Sequence, residues 1–180
     1  MRVFNQNQRA ARAYANELKK MSRNFERQVV MPMVREVVAD VVMMAAQTAP
    51  YNMGTLRGLF TATVNGSGRL PKDSKADSVR EAAMTNLKGA KLSDEISIEN
   101  QSPYAAIYEF GLFNPASPKY SKFGGSEARH VPRSRRGEKL GKVLIVDGFN
   151  VTAPNGMVAD AIQVVNARLK AGGYQLGKFV

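Results

Sequence analysis

The stretch VVMPMVREVVADVVMMAAQTAP, Val29 to Pro50, decides the fold. Apolar side chains recur in it at the four-residue spacing of one helix face: Val29, Met33, Val37 and Val41. The same period continues upstream through Tyr14, Leu18, Met21 and Phe25. We therefore predict a long amphipathic helical region from Asn7 to Thr48.

Two prolines divide and end this region. Pro32 lacks a backbone N–H and clashes with the preceding turn, so we expect a kink or a split near Met31 that leaves two helical pieces. Pro50 pushes Ala49 out of the α region and should end the helix. The length of 180 residues fits one domain. We therefore assign residues 1–180 to a single domain with residues 1–31 as an N-terminal helical extension.

Strand signals and one short helix follow. Leu56 to Asn65 alternates apolar and polar residues and predicts a half-buried strand. Glu95 to Glu99 predicts a second strand, and Pro103 to Phe110 fits either a strand or a helix. Between the two predicted strands, the segment Ser78 to Lys88 predicts a short helix, with Ser78 as its N-cap and Glu81 as the capping-box partner.

The remainder predicts an inserted arm and a last helix. Residues 112–152 form the arm: Leu112 to Arg136 is rich in proline, glycine and basic residues, which favours a loop, and Lys142 to Val151 predicts a β-hairpin closed at Asp147 and Gly148. Asn155 to Lys170 predicts an amphipathic helix. The expected fold class is α+β: a long N-terminal helical region, an antiparallel sheet that includes a strand after Glu99, and a C-terminal helix packed on the sheet.

Composition excludes several classes of function. The chain has no cysteine and one histidine, His130, which rules out thiol nucleophiles, disulfides and Cys/His zinc sites. Its longest apolar stretch, Val37 to Ala46, is far shorter than the ~20 residues of a spanning helix, so we expect no membrane partner. The N-terminus turns polar at once, unlike a secretory segment, and indicates a protein kept in a cytoplasm.

Enzyme signatures are missing as well. The sequence has no phosphate-binding glycine loop and no nucleophile elbow. The acids Asp94, Glu95, Glu99 and Glu109 could supply an acid and a base, but acids on or near a strand usually point to opposite faces or into solvent. We predict no catalytic residue, no metal and no cofactor. A hydrolase remains an alternative only if two buried carboxylates line one pocket.

Positive charge is concentrated in the arm. The net charge is +11, and residues 119–142 hold eight Lys and Arg against two Glu, which gives 8 − 2 = +6. The candidate contacts for DNA or a protein partner are Arg129, Arg133, Arg135, Arg136 and Lys139. They either neutralise phosphates without sequence preference or pair with acidic neighbours in an assembly.

Three short motifs occur in a fixed order: APYNMGTLR at 49–57, IENQSPYAAIYEFG at 98–111 and APNGMV at 153–158. Together they resemble the tail-completion and head–tail joining proteins of long-tailed, lambda-like bacteriophages, over about Val29 to Leu169. The arm departs from that pattern, because shorter members of the family pass almost directly to the last helix.

The resemblance implies a non-enzymatic virion protein that is assembled in the host cytoplasm. Its subunits would form a closed homo-hexameric ring at the neck or upper tail, against the connector or adaptor and the tail terminator or tail tube protein. The ring would contact genomic DNA in its channel without sequence preference. The residues it marks as fold signature or subunit interface are Pro50, Gly54, Leu56, Asn100, Tyr104, Tyr108, Glu109, Gly111 and Met157. The alternative is a non-specific nucleic-acid-binding accessory protein, for which the basic composition argues.

Overall fold

The structure is a computed structural model that describes residues 2–49, 54–103, 105–112, 127–130, 143–146, 149–150 and 152–174. It contains six α-helices in the described ranges: α1 (Arg2–Phe25), α2 (Met31–Thr48), α3 (Gly54–Arg57), α4 (Ala76–Asn86), α5 (Ala105–Glu109) and α6 (Met157–Lys170). The described strands are β1 (Phe60–Val64), β2 (Ile96–Asn100), β3 (Glu127–His130), β4 (Val143–Val146) and β5 (Phe149–Asn150). The described part is therefore α+β, as predicted.

The long helical region is interrupted where Pro32 predicts it. One π-helical turn, Glu26–Val30, joins α1 to α2, and the N–H of Met31 bonds the carbonyl of Glu26 across this wider turn. Pro32 then lies in the first turn of α2, where its missing N–H costs little. Ala49 is extended, with φ −61° and ψ 141°, so the predicted helix end is also confirmed.

The first strand is shorter and more deeply covered than predicted. The chain forms α3 up to Arg57, because the Arg57 side chain bonds the carbonyls of Ala49 and Gln47 at the end of α2. β1 pairs antiparallel with β2, and Phe60 lies opposite Asn100. Thr61 and Thr63 are buried as well as their apolar neighbours, so the expectation of a half-buried strand is wrong.

The predicted third strand of this sheet is a helix. The described residues give β1 and β2 as a two-stranded sheet, and Pro103 to Phe110 contains α5. Asn100 ends β2 by accepting the N–H of Ser102 on its own side-chain oxygen, at 2.9 Å. The carbonyl of Ser102 then accepts the N–H of Ala105, which turns the chain into α5.

Helix α4 begins two residues before the predicted cap. Its first residue is Ala76, and Ser78 lies inside the helix instead of capping it. Asp73 accepts the backbone N–H of Lys75 at 2.9 Å and a hydrogen bond from the Ser78 side chain. These bonds, Ser78 first, hold the pKa of Asp73 below its ordinary value of 3.8.

The core is centred on α2, which packs against α4, α6 and β1. Its alanines 39, 45 and 46 are fully buried, and small side chains let the neighbouring helices approach closely. The expectation that α6 packs on the sheet is wrong for most of its length. In the described residues α6 packs mainly against α2, and Met157 and Val158 in its first turn line one groove with the sheet residues Phe60 and Ile98. A two-stranded sheet offers too narrow a face to cover a helix of 14 residues.

A polar cluster ties α4 and the segment after α6 to α2. Asp40 accepts a hydrogen bond from Arg80 Nε of α4 at 2.8 Å and another from the Tyr174 hydroxyl at 2.9 Å. Arg80 also pairs with Glu36, and its bond to Asp40 raises its pKa above the ordinary value. Burial, and then the bond to Asp40, raises the pKa of Tyr174.

The arm contains a small antiparallel sheet of order β3-β4-β5. Val146 lies opposite Phe149, so β4 and β5 form the predicted hairpin, although Asp147 and Gly148 themselves lie outside the described residues. β3 falls inside the stretch predicted to be loop, Leu112 to Arg136. It is a strand because its backbone pairs with β4 along its whole length.

Candidate functional site

The three sequence motifs meet at one junction in the body of the protein. In the first motif, Arg57 bonds the carbonyls of Ala49 and Gln47 and closes the chain back on the end of α2. From the second motif, Asn100 Nδ2 donates to the carbonyl of Leu56 at 2.8 Å. Asn100 therefore serves both as the turn that ends β2 and as a tie between the first two motifs.

The second and third motifs are joined at the start of α6. Both carboxylate oxygens of Glu109 accept backbone N–H groups there, from Val158 at 2.8 Å and Ala159 at 3.2 Å. A carboxylate at a helix N-terminus satisfies donors that the helix leaves free and complements its dipole. Gly156 has φ +110°, and a Cβ on it would lie 2.5 Å from the carbonyl oxygen of Glu109, so this position suits glycine alone.

The signature residues of the motifs are mostly structural. Leu56, Tyr108 and Met157 are buried in the core. Gly111 has φ +62°, and a Cβ there would overlap the ring of Phe149, so it turns the chain beneath the arm's hairpin. Gly54 is the first residue of α3, whereas Pro50 and Tyr104 lie outside the described residues. What these residues do together is hold α2, the sheet, α5 and α6 in one arrangement.

The cationic contacts predicted in the arm are only partly described. Arg129 lies in β3, and the structure describes its backbone pairing with Leu144. Arg133, Arg135, Arg136 and Lys139 lie outside the described residues.

A second basic surface, which the sequence reasoning missed, lies on α1. This helix carries six Lys and Arg against one Glu, which gives 6 − 1 = +5. Helical spacing places most of these cations opposite its apolar side chains: Arg9, Arg12, Lys20 and Arg23. The signal was available in the sequence as a basic stripe with the same period as the apolar one. We call these four residues the basic face.

The basic face leads into an open groove of about 960 Å³ between the end of α1 and the segment after α4. Arg23, Arg35, Lys88 and Lys91 line the groove together with Glu26. Nη2 of Arg35 reaches the carbonyl of Ala90 at 3.4 Å, while its buried Nε has no hydrogen-bond partner among the described residues. The arrangement presents several guanidinium and ammonium groups to an anion, with few carboxylates beside them.

Two carboxylates that the sequence singled out line a common groove. Glu99 and Glu109 border a groove of about 220 Å³ between β2, α5 and α6, and Phe110 forms part of its wall. Glu99 accepts the hydroxyl of Thr63 at 2.8 Å, and both oxygens of Glu109 are bonded to α6. Both glutamates are only half-buried, so they do not form the buried pair that a hydrolase would need.

Asp94 and Glu95 also have structural roles. Asp94 accepts the N–H of Lys91 at 2.8 Å and the side-chain amide of Asn65, and these two bonds hold its pKa below the ordinary value of 3.8. The side-chain oxygen of Asn65 accepts the N–H of Glu95 at 3.0 Å. The group closes the turn before β2 and points to no reaction.

Two other kinds of feature, a metal centre and a membrane-spanning helix, are absent from the described ranges. In the described ranges, no three His, Cys, Asp or Glu side chains lie together as a metal site would require. None of the described helices combines the length and the apolar character needed to cross a membrane. No family model, curated protein or solved structure matches the chain.

Proposed function

We propose that this chain is a non-enzymatic virion protein of a long-tailed bacteriophage, a ring-forming tail-completion or head–tail joining subunit at the neck or upper tail. The observation that carries the proposal is the junction of the three motifs. Asn100 of the second motif bonds Leu56 of the first at 2.8 Å, and Glu109 of the second motif bonds Val158 of the third at 2.8 Å. In both bonds a side chain of one motif holds the backbone of another. Such contacts fix a shape, which is what a ring subunit needs.

The surfaces of the chain fit a subunit that acts within an assembly. A closed ring requires a heterologous interface, in which one patch of each subunit meets a different patch on the next. Every residue from Gln8 to Arg23 is exposed. These residues include large apolar side chains, and exposed apolar patches of this kind are typical of interaction surfaces. The role we propose is mechanical: the ring closes the tail end, docks to the connector and leaves a channel for DNA.

The alternative is a non-specific nucleic-acid-binding accessory protein, and the basic face of α1 with the adjoining groove favours it. Cations spaced along a helix would neutralise phosphates and release counterions, so affinity should fall steeply with salt. The two functions differ in their assembly. A joining subunit forms rings and is needed for virions, whereas the accessory protein binds DNA as a monomer or dimer.

The test is electron microscopy of particles made with this gene deleted, with heads and tails counted. We expect filled heads beside separate or over-long tails. Supplying the intact gene should restore joined, infectious particles. A variant in which Arg133, Arg135 and Arg136 are replaced by glutamine should also join poorly if the arm contacts a partner. Intact, infectious particles from the deletion would reject the proposal and leave the accessory function.

A further inference from the structure

The helix α1 presents an apolar stripe that the described part of the chain leaves exposed. Tyr14, Leu18 and Met21 are 64%, 47% and 55% exposed, and they lie on one side of the helix at four- and three-residue spacing. We call these three residues the α1 stripe. An exposed helix gains most of its stability from packing of its apolar side, so the stripe is suited to a partner.

The same chain offers a groove whose chemistry is complementary to this helix. The groove between β2, α5 and α6 is lined by Ile98, Ala106 and Val158, and Phe110 at its wall is 67% exposed. At about 220 Å³ it is smaller than the ~300–1,000 Å³ of usual ligand pockets. It therefore suits a row of protruding side chains.

Charge favours this groove over a second α1 as the partner. Two α1 helices side by side would bring +5 against +5, which disfavours their pairing. The groove instead carries the carboxylates of Glu99 and Glu109 at its border. The net charge of α1, +5, therefore attracts the helix to this border of the groove, whereas it repels a second α1.

We propose that the α1 stripe of one subunit docks into the groove between β2, α5 and α6 of a second copy of this chain. The contact is heterologous, since the stripe and the groove are different patches of the same subunit. Repeated from subunit to subunit, it would close the ring that the proposed function requires, and the inference rests on that function. Before assembly, each subunit carries an exposed α1 and an empty groove.

Cysteine cross-linking tests the contact in a chain that has no cysteine of its own. Leu18→Cys and Ala106→Cys place one thiol on the stripe and one at the groove, each at an exposed position. The two single variants are purified, mixed at high concentration and oxidised, so any disulfide between them joins two chains. Lys20→Cys, on the opposite side of α1, replaces Leu18→Cys in the control mixture. Circular dichroism of each variant checks that the fold is kept.

The expected result is a disulfide dimer in the Leu18→Cys and Ala106→Cys mixture, with background levels in the control mixture. Efficient dimers of Leu18→Cys alone would mean that α1 pairs with itself and would overturn the proposal. No dimer above background in either mixture would overturn it as well. Electron microscopy of the same samples separates the two claims: rings without this disulfide leave the proposed function standing, whereas the disulfide without rings leaves only the contact.

A lipid surface is the competing occupant, because basic amphipathic helices also bind anionic membranes. The probe is a vesicle of phosphatidylcholine and phosphatidylglycerol, sedimented with the intact protein and with Leu18→Gln. We expect little binding and little difference between the two. Binding that Leu18→Gln abolishes, together with absence of the disulfide, would assign the stripe to membranes and overturn the proposal.

Discussion

The two halves of the long helical region have the same apolar period and opposite surroundings. In α2 the stripe is covered by α4, α6 and β1, and residues such as Ala39 and Val42 are completely buried. In α1 the side chains of Tyr14, Leu18 and Met21 are about half exposed or more. The comparison shows that one apolar period can be buried or left exposed: α2 forms the centre of the core, whereas α1 keeps its apolar side chains on the surface.

A proline in each half should give the largest contrast. Ala39→Pro removes a hydrogen bond and forces a ring into the packed centre of α2, which should cost more than about 3 kcal/mol and unfold much of the protein. Ala15→Pro breaks α1, which is exposed, so the body should keep its unfolding midpoint. Urea unfolding followed by tyrosine fluorescence measures both. Equal losses would mean that α1 is part of the cooperative core.

Two methionines ten residues apart give a milder pair. Met31 is 1% exposed and Met21 is 55% exposed. Met31→Ala should leave a cavity and lower the free energy of unfolding by about 2–5 kcal/mol, whereas Met21→Ala should change it by less than about 0.5 kcal/mol. Chemical denaturation of the dilute protein, where subunits do not assemble, gives both values. A loss above about 1 kcal/mol for Met21→Ala would show that α1 packs within its own subunit.

Acids on the two helices should differ for the same reason. Asp40→Asn weakens the bonds to Arg80 and Tyr174 and should cost roughly 1–2 kcal/mol, after allowance for the partial exposure of Arg80. Glu17→Gln on α1 is the control, since Glu17 is exposed and should contribute almost nothing. Thermal unfolding of both variants compares them. A similar loss from each would contradict the view that only α2 is tied into the body.

The smallest effect concerns acid. Hydrogen bonds from the N–H of Lys91, and then from Asn65, lower the pKa of Asp94 in the folded protein. Ionised Asp94 therefore stabilises the fold above the unfolded pKa near 3.8. This stabilisation is lost as the pH falls through the folded pKa. Between about pH 5 and 3 the intact protein should lose more stability than Asp94→Asn. Unfolding curves across that range measure the difference. Identical pH dependence of the two proteins would show that the turn at Asp94 does not sense acid.

Sequence patterns predicted the helices and strands better than they predicted how those elements pack against one another. Period and proline chemistry are local, so the interruption before Pro32 and the helix end at Ala49 were found. The strand expected from Leu56 failed because Arg57 reaches back to Gln47, ten residues away, and this favours α3. No pattern of alternation reports such a bond.

The candidate site shows the same division. Motif order singled out Asn100, Glu109 and Met157, but their roles became visible only when separate motifs met: Glu109 caps a helix that begins 48 residues later in the chain. The basic face of α1 could have been found from helical spacing of its cations. The burial of an apolar stripe could not have been predicted in this way, because it depends on where the rest of the chain packs.

The central claim is that α1 is exposed in the single subunit and becomes covered when subunits assemble. Hydrogen–deuterium exchange of the peptides from α1 and α2 tests it directly, in dilute protein and in isolated rings or virions. We predict that α2 is protected in both samples and that α1 exchanges rapidly when dilute and slowly when assembled. Rapid exchange of α1 in the assembled particle would contradict the claim.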